Sequence, residues 1–100
     1  MLYMILGTDA PDSMNARALA RPKHLDCLQA LQDQGRLILA GPRPRVDSAD
    51  AGAAGFHGSL IVAEFDSIEA ARAWAAADPY AQAGVFSEVL VQPFVKVFPR

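Results

Sequence analysis

The stretch Gly58–Tyr80 limits the fold more than any other part of the chain. Leu60–Phe65 is rich in aliphatic and aromatic residues at strand length. Asp66 follows, with Glu69 three residues on, which is the spacing of a capping box with Asp in place of Ser or Thr. Ala70–Ala77 are strong helix formers, and Pro79 forces the helix to end near Asp78. A strand, a capped helix and a hard stop therefore succeed one another within 23 residues. Asp78 is the odd residue, because a carboxylate at a helix C-terminus meets the negative end of the dipole, at a cost of about 0.3–1 kcal/mol. Either it serves a function or it is a solvated turn residue before proline.

The first half repeats the pattern. Leu2–Leu6 reads as a strand with apolar groups on both faces, and Gly7–Pro11 as its exit. Asp12 or Ser13 can cap a helical run through Leu19. Pro22 predicts a break near Arg21 and a fresh helix, with one kinked helix as the alternative. Lys23–Gln34 is the clearest helix of this half, closed by Gly35. At 100° per residue His24 falls inside the stripe formed with Leu28 and Leu31. A histidine there is either a satisfied core residue or a working imidazole. Arg36–Ala40 reads as the second strand, closed by Gly41-Pro42.

Pro42–His57 is the longest segment without a periodic pattern, and loops of that length are usually functional or mobile. Phe56 near its end reads as an anchor or a pocket wall, and His57 as a solvated loop residue. His24 and His57 with an aspartate lack the tight spacing of a metal site. Tyr80–Gly84 reads as a short turn or a last helical turn, and Val85–Phe98 as the longest strand region, with Pro93 marking an edge, bend or bulge. Its end is too apolar for a free tail and is expected to cross to a partner.

The order strand, helix, strand, strand, helix, strand predicts an α+β fold, a four-stranded antiparallel sheet with both helices on one face. The other face would then expose an apolar patch, which predicts a homodimer of stacked sheets. One hundred residues form one domain. A net charge of −2 without a basic cluster gives nucleic-acid binding little support. One cysteine excludes an internal disulfide. No apolar run reaches membrane-spanning length, and no positive n-region precedes the first strand. A cytoplasmic location is expected.

Several segments carry a resemblance: Arg21-Pro22-Lys23-His24-Leu25, Leu37–Pro42, Gly55-Phe56-His57-Gly58-Ser59, Ala77-Asp78-Pro79-Tyr80 and Pro93–Val97. In this spacing the chain resembles the YCII-related protein family over nearly its whole length. The resemblance implies a ferredoxin-like protomer in a dimeric α+β barrel. It also implies a cleft with a His–Asp pair, at positions matching His24 and Asp78. Some relatives resemble small dehydrochlorinating or isomerising enzymes acting on ring compounds, and others have no assigned activity. His57 stands where the family leads one to expect a smaller residue. On this reading Ser59 donates to a substrate oxygen, Tyr80 and Phe56 wall the cleft, and Arg21 neutralises an anionic substrate.

Three functions are compatible with these residues. One is an acid/base enzyme for a small organic molecule, needing no cofactor, with His24 moving the proton and Asp78 orienting it, in elimination, isomerisation or hydrolytic ring chemistry. Another is a pocket that binds a metabolite without turnover. The last is an interaction domain whose dimer surface is its function.

Overall fold

The computed structural model describes residues 1–100. Four strands, β1 (Leu2–Asp9), β2 (Leu37–Pro44), β3 (Phe56–Glu64) and β4 (Phe86–Phe94), form one antiparallel sheet in the order β2-β3-β1-β4. Three helices, α1 (Met14–Asp33), α2 (Ile68–Ala77) and the single turn α3 (Pro79–Gln82), complete it. This is the α+β, ferredoxin-like arrangement the element order predicts.

Strand alternation sorts the sheet into two faces. Tyr3 and Ile5 of β1 stand opposite Ala63 and Ile61 of β3. With Phe65, with Leu31 of α1 and with Ala71 and Ala75 of α2 they form the core. Burying a side chain the size of Ile61 or Leu31 contributes about 1.5–3 kcal/mol. Phe65 lies between Tyr3 and Trp74, at ring-centroid distances of 6.4 and 5.9 Å. Ala71 and Ala75 have no bulk to hold α2 away from the strands, which explains the alanine-rich sequence.

The other face carries no helix. Its rows place Met4 beside Val62 and Gln92, and Leu6 beside Leu60 and Leu90. Leu39 of β2 stands beside Val62. Leu39, Leu90 and Phe94 are exposed. No helix is long and apolar enough to cross a membrane.

Several local expectations are corrected. Pro22 does not break the helix; α1 runs unbroken through it. Pro22 is exposed, so the carbonyl it leaves unpaired faces water, while buried Arg17 and His24 on either side tie both halves to the protein. The cap of α2 is Ser67, not Asp66: Ser67 Oγ accepts from the amide of Ala70 at 3.0 Å. Phe65, one residue past β3, is tied by its amide to the carbonyl of Met1 beside the sheet, so Asp66 is used in the turn. Ser13 precedes α1 without a side-chain cap bond. Gly35, at φ +70°, follows α1 as the expected left-handed residue.

β2 continues past Gly41-Pro42 to Pro44, and β3 already starts at Phe56. Only residues 45–55 connect them, with a 3-10 turn at Gly52–Ala54. An edge strand tolerates Pro42 and Pro44, because one side of its backbone has no ladder to complete. β4 stops at Phe94, so Val95, Val97 and Phe98 extend beyond the strand and are exposed.

Candidate active site

Seven residues turn a helix by about 700°, nearly two full turns, so Arg17, His24 and Leu31 lie on one face of α1. These are its three buried residues. Leu31 enters the core, and the two polar residues meet the junction of α2 and α3.

Asp78 makes that junction. It ends α2 and caps α3, its Oδ1 accepting from the amide of Tyr80 at 3.0 Å. Pro79 takes the first helical position, where a missing amide costs nothing. The unfavourable carboxylate at the end of α2 is thus a favourable one at the start of α3. The same Oδ1 lies 2.7 Å from Nδ1 of His24. Both residues are buried, at 3% and 5% exposure. An ionised carboxylate only accepts hydrogen bonds, so Nδ1 carries the proton and Nε2 is left with its lone pair. Nε2 makes no bond to protein, and it is not sealed from solvent.

Tyr80 holds the imidazole in place. The two rings stack with centroids 3.8 Å apart and planes 13° from parallel. Phe86 meets Tyr80 edge-on at 5.8 Å. Gly7 makes room for this support, since a Cβ there would come within 2.7 Å of the Phe86 ring. Burial pushes the Tyr80 phenol above its ordinary range and the Asp78 charge adds to the rise, while the Arg17 and Arg21 charges oppose it. Tyr80 is therefore a neutral hydroxyl at neutral pH.

A second charged group lies beside the pair. Arg17 donates from Nε to Asp9 Oδ2 at 3.0 Å and from Nη2 to Asp9 Oδ1 at 3.2 Å. Nη2 also donates to Ser59 Oγ at 2.8 Å. The guanidinium carbon lies 4.7 Å from the ring centroids of both Phe56 and Tyr80. Arg17 and Asp9 are among the buried residues.

Arg17, Arg21, His24, Ser59 and Tyr80 line a hollow of about 180 Å³, closed on its far side by Leu25 and Leu28 of α1 and by Ala40–Pro42 of β2. Of the residues picked out from the sequence, His24, Ser59, Tyr80 and Arg21 thus share one cavity. Asp78 stands behind His24 and Phe56 behind Arg17, so neither borders the hollow. Phe56 as a cleft wall is corrected to a support for the guanidinium. His57 is exposed near the start of β3 and makes no contact with the site. No three His, Cys, Asp or Glu side chains are grouped to hold a metal ion. Cys27 borders no part of the hollow, and burial raises its thiol pKa, with the charges of Asp78 and Asp26 adding to the rise.

Arg17 and Asp9 are absent from the residues the sequence singles out. The seven-residue spacing to His24 is the signal that identifies Arg17. Asp9 has no such signal, because only the sheet brings the end of β1 beside α1.

The YCII-related domain family matches residues 1–95. Protein YciI of Escherichia coli O6:H1 is 59% identical over 98 residues, which is 98% of this chain and all of that protein. An uncharacterized protein of Haemophilus influenzae is 45% identical over the same share of each. Among solved structures, 5-chloro-2-hydroxyhydroquinone dehydrochlorinase (TftG) from Burkholderia phenoliruptrix AC1100, in complex with 2,5-dihydroxybenzoquinone, superposes with a TM-score of 0.83. It is 24% identical, covering 95% of this chain and 94% of that one, and at that identity it speaks for the fold. With the family pattern spanning residues 1–95 and two full-length relatives at 59% and 45% identity, the chain belongs to the YCII-related domain family.

Proposed function

We propose that the protein is a cofactor-independent acid/base enzyme acting on a small organic molecule, with His24 as the proton-transfer group and Asp78 as its positioning residue. The observation that carries this reading is the 2.7 Å contact that fixes Nδ1 of His24 while Nε2 stays open toward the hollow. In this arrangement Nε2 takes a proton from the substrate, and the Asp78 carboxylate stabilises the imidazolium that forms. The electron pair left on the substrate then expels a leaving group or shifts a double bond, and the proton returns to product or water. Dehydrochlorination, the activity of the structural neighbour, is proton chemistry of this kind; elimination and isomerisation begin with that step, and in hydrolytic ring chemistry Nε2 would instead take the proton of the attacking water. The size fits, because a cavity of roughly 150 Å³ holds benzene and this one is about 180 Å³.

A direct test is incubation with 5-chloro-2-hydroxyhydroquinone and related hydroxylated rings in heavy water, read for chloride release and deuterium uptake. His24→Ala and Asp78→Asn should each lower turnover by roughly 10²–10⁴-fold. Undiminished turnover in both variants would overturn the assignment. A guest that raises the melting temperature of the wild type yet is recovered unchanged would favour a binding pocket without turnover.

The uncovered sheet face supports a second part of the reading, a homodimer. The row Glu88–Thr8–Gly58–Arg43 crosses the sheet from the β4 edge to the β2 edge. Place two such faces together about a two-fold axis parallel to the strands, and each β2 edge lies over the other copy's β4 edge. Arg43 then faces Glu88 of the partner subunit twice, with the leucine and valine rows between them. Arg43 donates from Nη2 to the carbonyl of Gly7 at 2.9 Å, which lays it across Gly58, while its buried Nε has no partner. A sedimentation measurement giving a monomer at micromolar concentration would remove this part and leave the site chemistry standing.

A further inference from the structure

We infer that Arg17, held by Asp9 and flanked by Ser59 and Arg21, is the anchor for an ionised oxygen of a single-ring substrate. The inference rests on the proposed function only for the location of the guest.

The charges that border the hollow are of one sign. Arg17, Arg21 and His24 line it, and no carboxylate does. Asp9 lies behind Arg17 and spends its charge on that guanidinium, while Asp78 lies behind the neutral His24 and accepts from its Nδ1. Arg21 makes no ion pair. A guest therefore meets donors and positive charge first, and the balancing acids at one remove.

The donor count on Arg17 points the same way. A guanidinium has five N–H groups in a rigid fork. Nε and Nη2 are committed to Asp9 and Ser59. Nη1 makes no hydrogen bond of good geometry to protein and is not sealed from solvent, although the guanidinium approaches the Tyr80 hydroxyl closely enough to oppose the rise of its pKa. The two N–H groups of Nη1 are the unsatisfied part of an otherwise buried and immobilised side chain. Nη2 donates to Ser59 Oγ, so the Ser59 hydroxyl proton is itself free to bond a second oxygen. Two aromatic rings at 4.7 Å fix the plane of the fork, so little side-chain freedom remains to be lost on binding. A preorganised cation with donors left over is built for an anion rather than a neutral group. Bound there, an ionised oxygen brings an attached ring beside His24, which borders the same hollow.

Benzoate and benzamide make the test. They have the same ring and shape, and only benzoate is charged. Calorimetry on the wild type should show benzoate binding at least tenfold tighter than benzamide. Arg17→Lys keeps the charge but loses the fork, and should weaken benzoate by about ten- to a hundredfold, the usual worth of a charge-assisted hydrogen bond or two. Removing Arg17 alone leaves Asp9 buried and unpaired, so the informative variant is the double change Asp9→Asn with Arg17→Gln. It should fold, keep any affinity for benzamide and lose the preference for benzoate. Ser59→Ala leaves the ion pair intact and should cost a smaller factor for benzoate only. Equal binding of the two probes by the wild type, no binding of benzoate, or an unchanged preference in both Arg17 variants would each overturn the anchor. Binding is read here rather than turnover, so a failure of the acid/base reading appears separately, in the His24 and Asp78 variants.

Discussion

The two faces of the sheet are built from the same strands and obey opposite rules. The covered face buries ionisable side chains: Asp9, Arg17, His24 and Asp78 all lie under the helices. The open face displays leucine and phenylalanine to solvent, at Leu39, Leu90 and Phe94. An isolated globule gains from the reverse arrangement, because burying a charge costs several kcal/mol unless it is paired, and exposed apolar area contributes nothing. Each departure has a structural answer. The buried ionisable groups are paired, Arg17 with Asp9 and His24 with Asp78, and Arg17 and His24 border a cavity. The exposed apolar rows lie beside a row that ends in Arg43 on one edge and Glu88 on the other. On the proposed reading, buried charge marks where a small guest is handled, and exposed apolar surface marks where a second copy is met.

The comparison breaks first if the buried charges prove dispensable. Arg17→Leu leaves the Asp9 carboxylate under the helices without a partner, and should lower the unfolding free energy by about 3–5 kcal/mol in urea titration. The double change of Asp9→Asn with Arg17→Gln should recover most of that loss, because no unpaired charge remains. A single variant as stable as the wild type would mean that Asp9 reaches water.

Next in size is a pair of truncations on one strand. Ile61→Ala, on the covered face, removes a core side chain and should cost about 2–5 kcal/mol at any protein concentration. Leu60→Ala, its neighbour on the open face, should cost little in the monomer and act mainly on association, so that its effect on melting depends on protein concentration. The same concentration dependence for both variants would erase the distinction between the faces.

The charged ends of the open face should have a smaller effect. Glu88→Arg places two arginines opposite each other in the proposed dimer and should weaken association by about 0.2–1 kcal/mol per contact. Arg43→Glu in the same chain should restore it, and sedimentation of the single and double variants checks this.

A last prediction concerns alkaline pH on the covered side. The Tyr80 phenol has a higher pKa folded than its ordinary value of 10.0. The contribution of a raised pKa is fully present below the ordinary value and is lost as pH rises through the folded one. The melting temperature should therefore fall above about pH 10, the ordinary value for tyrosine. Tyr80→Phe should flatten that part of the profile, in a thermal scan against pH. The fall is modest, because Arg17 and Arg21 oppose the effect of burial.

Periodicity and punctuation were enough for the architecture. Two strand–helix–strand halves, the glycine after α1 and the Asp-Pro stop after α2 give the element order, and that order leaves few sheets to choose from. His24 was legible because it interrupts an apolar stripe, and Asp78 because its carboxylate looks misplaced at the end of α2, although it also caps α3. Boundaries were less legible. Pro22 reads as a break, yet α1 passes through it, because the contacts of Arg17 and His24 outweigh a local penalty of about 3 kcal/mol. Asp66 reads as a cap, yet Phe65 is held beside the sheet and shifts the cap to Ser67.

The chain by itself determined which elements exist, their order, and that one helix face and one helix end carry groups out of place, because these depend on neighbours a few residues apart. Only the folded protein decided which of those groups meet. Asp9 and Arg17 meet because β1 and α1 are packed together, Ser59 joins them across 42 positions of sequence, and Asp78 reaches His24 across 54. Distances of that kind come from the register of the sheet and the seating of the helices on it, which no local pattern records.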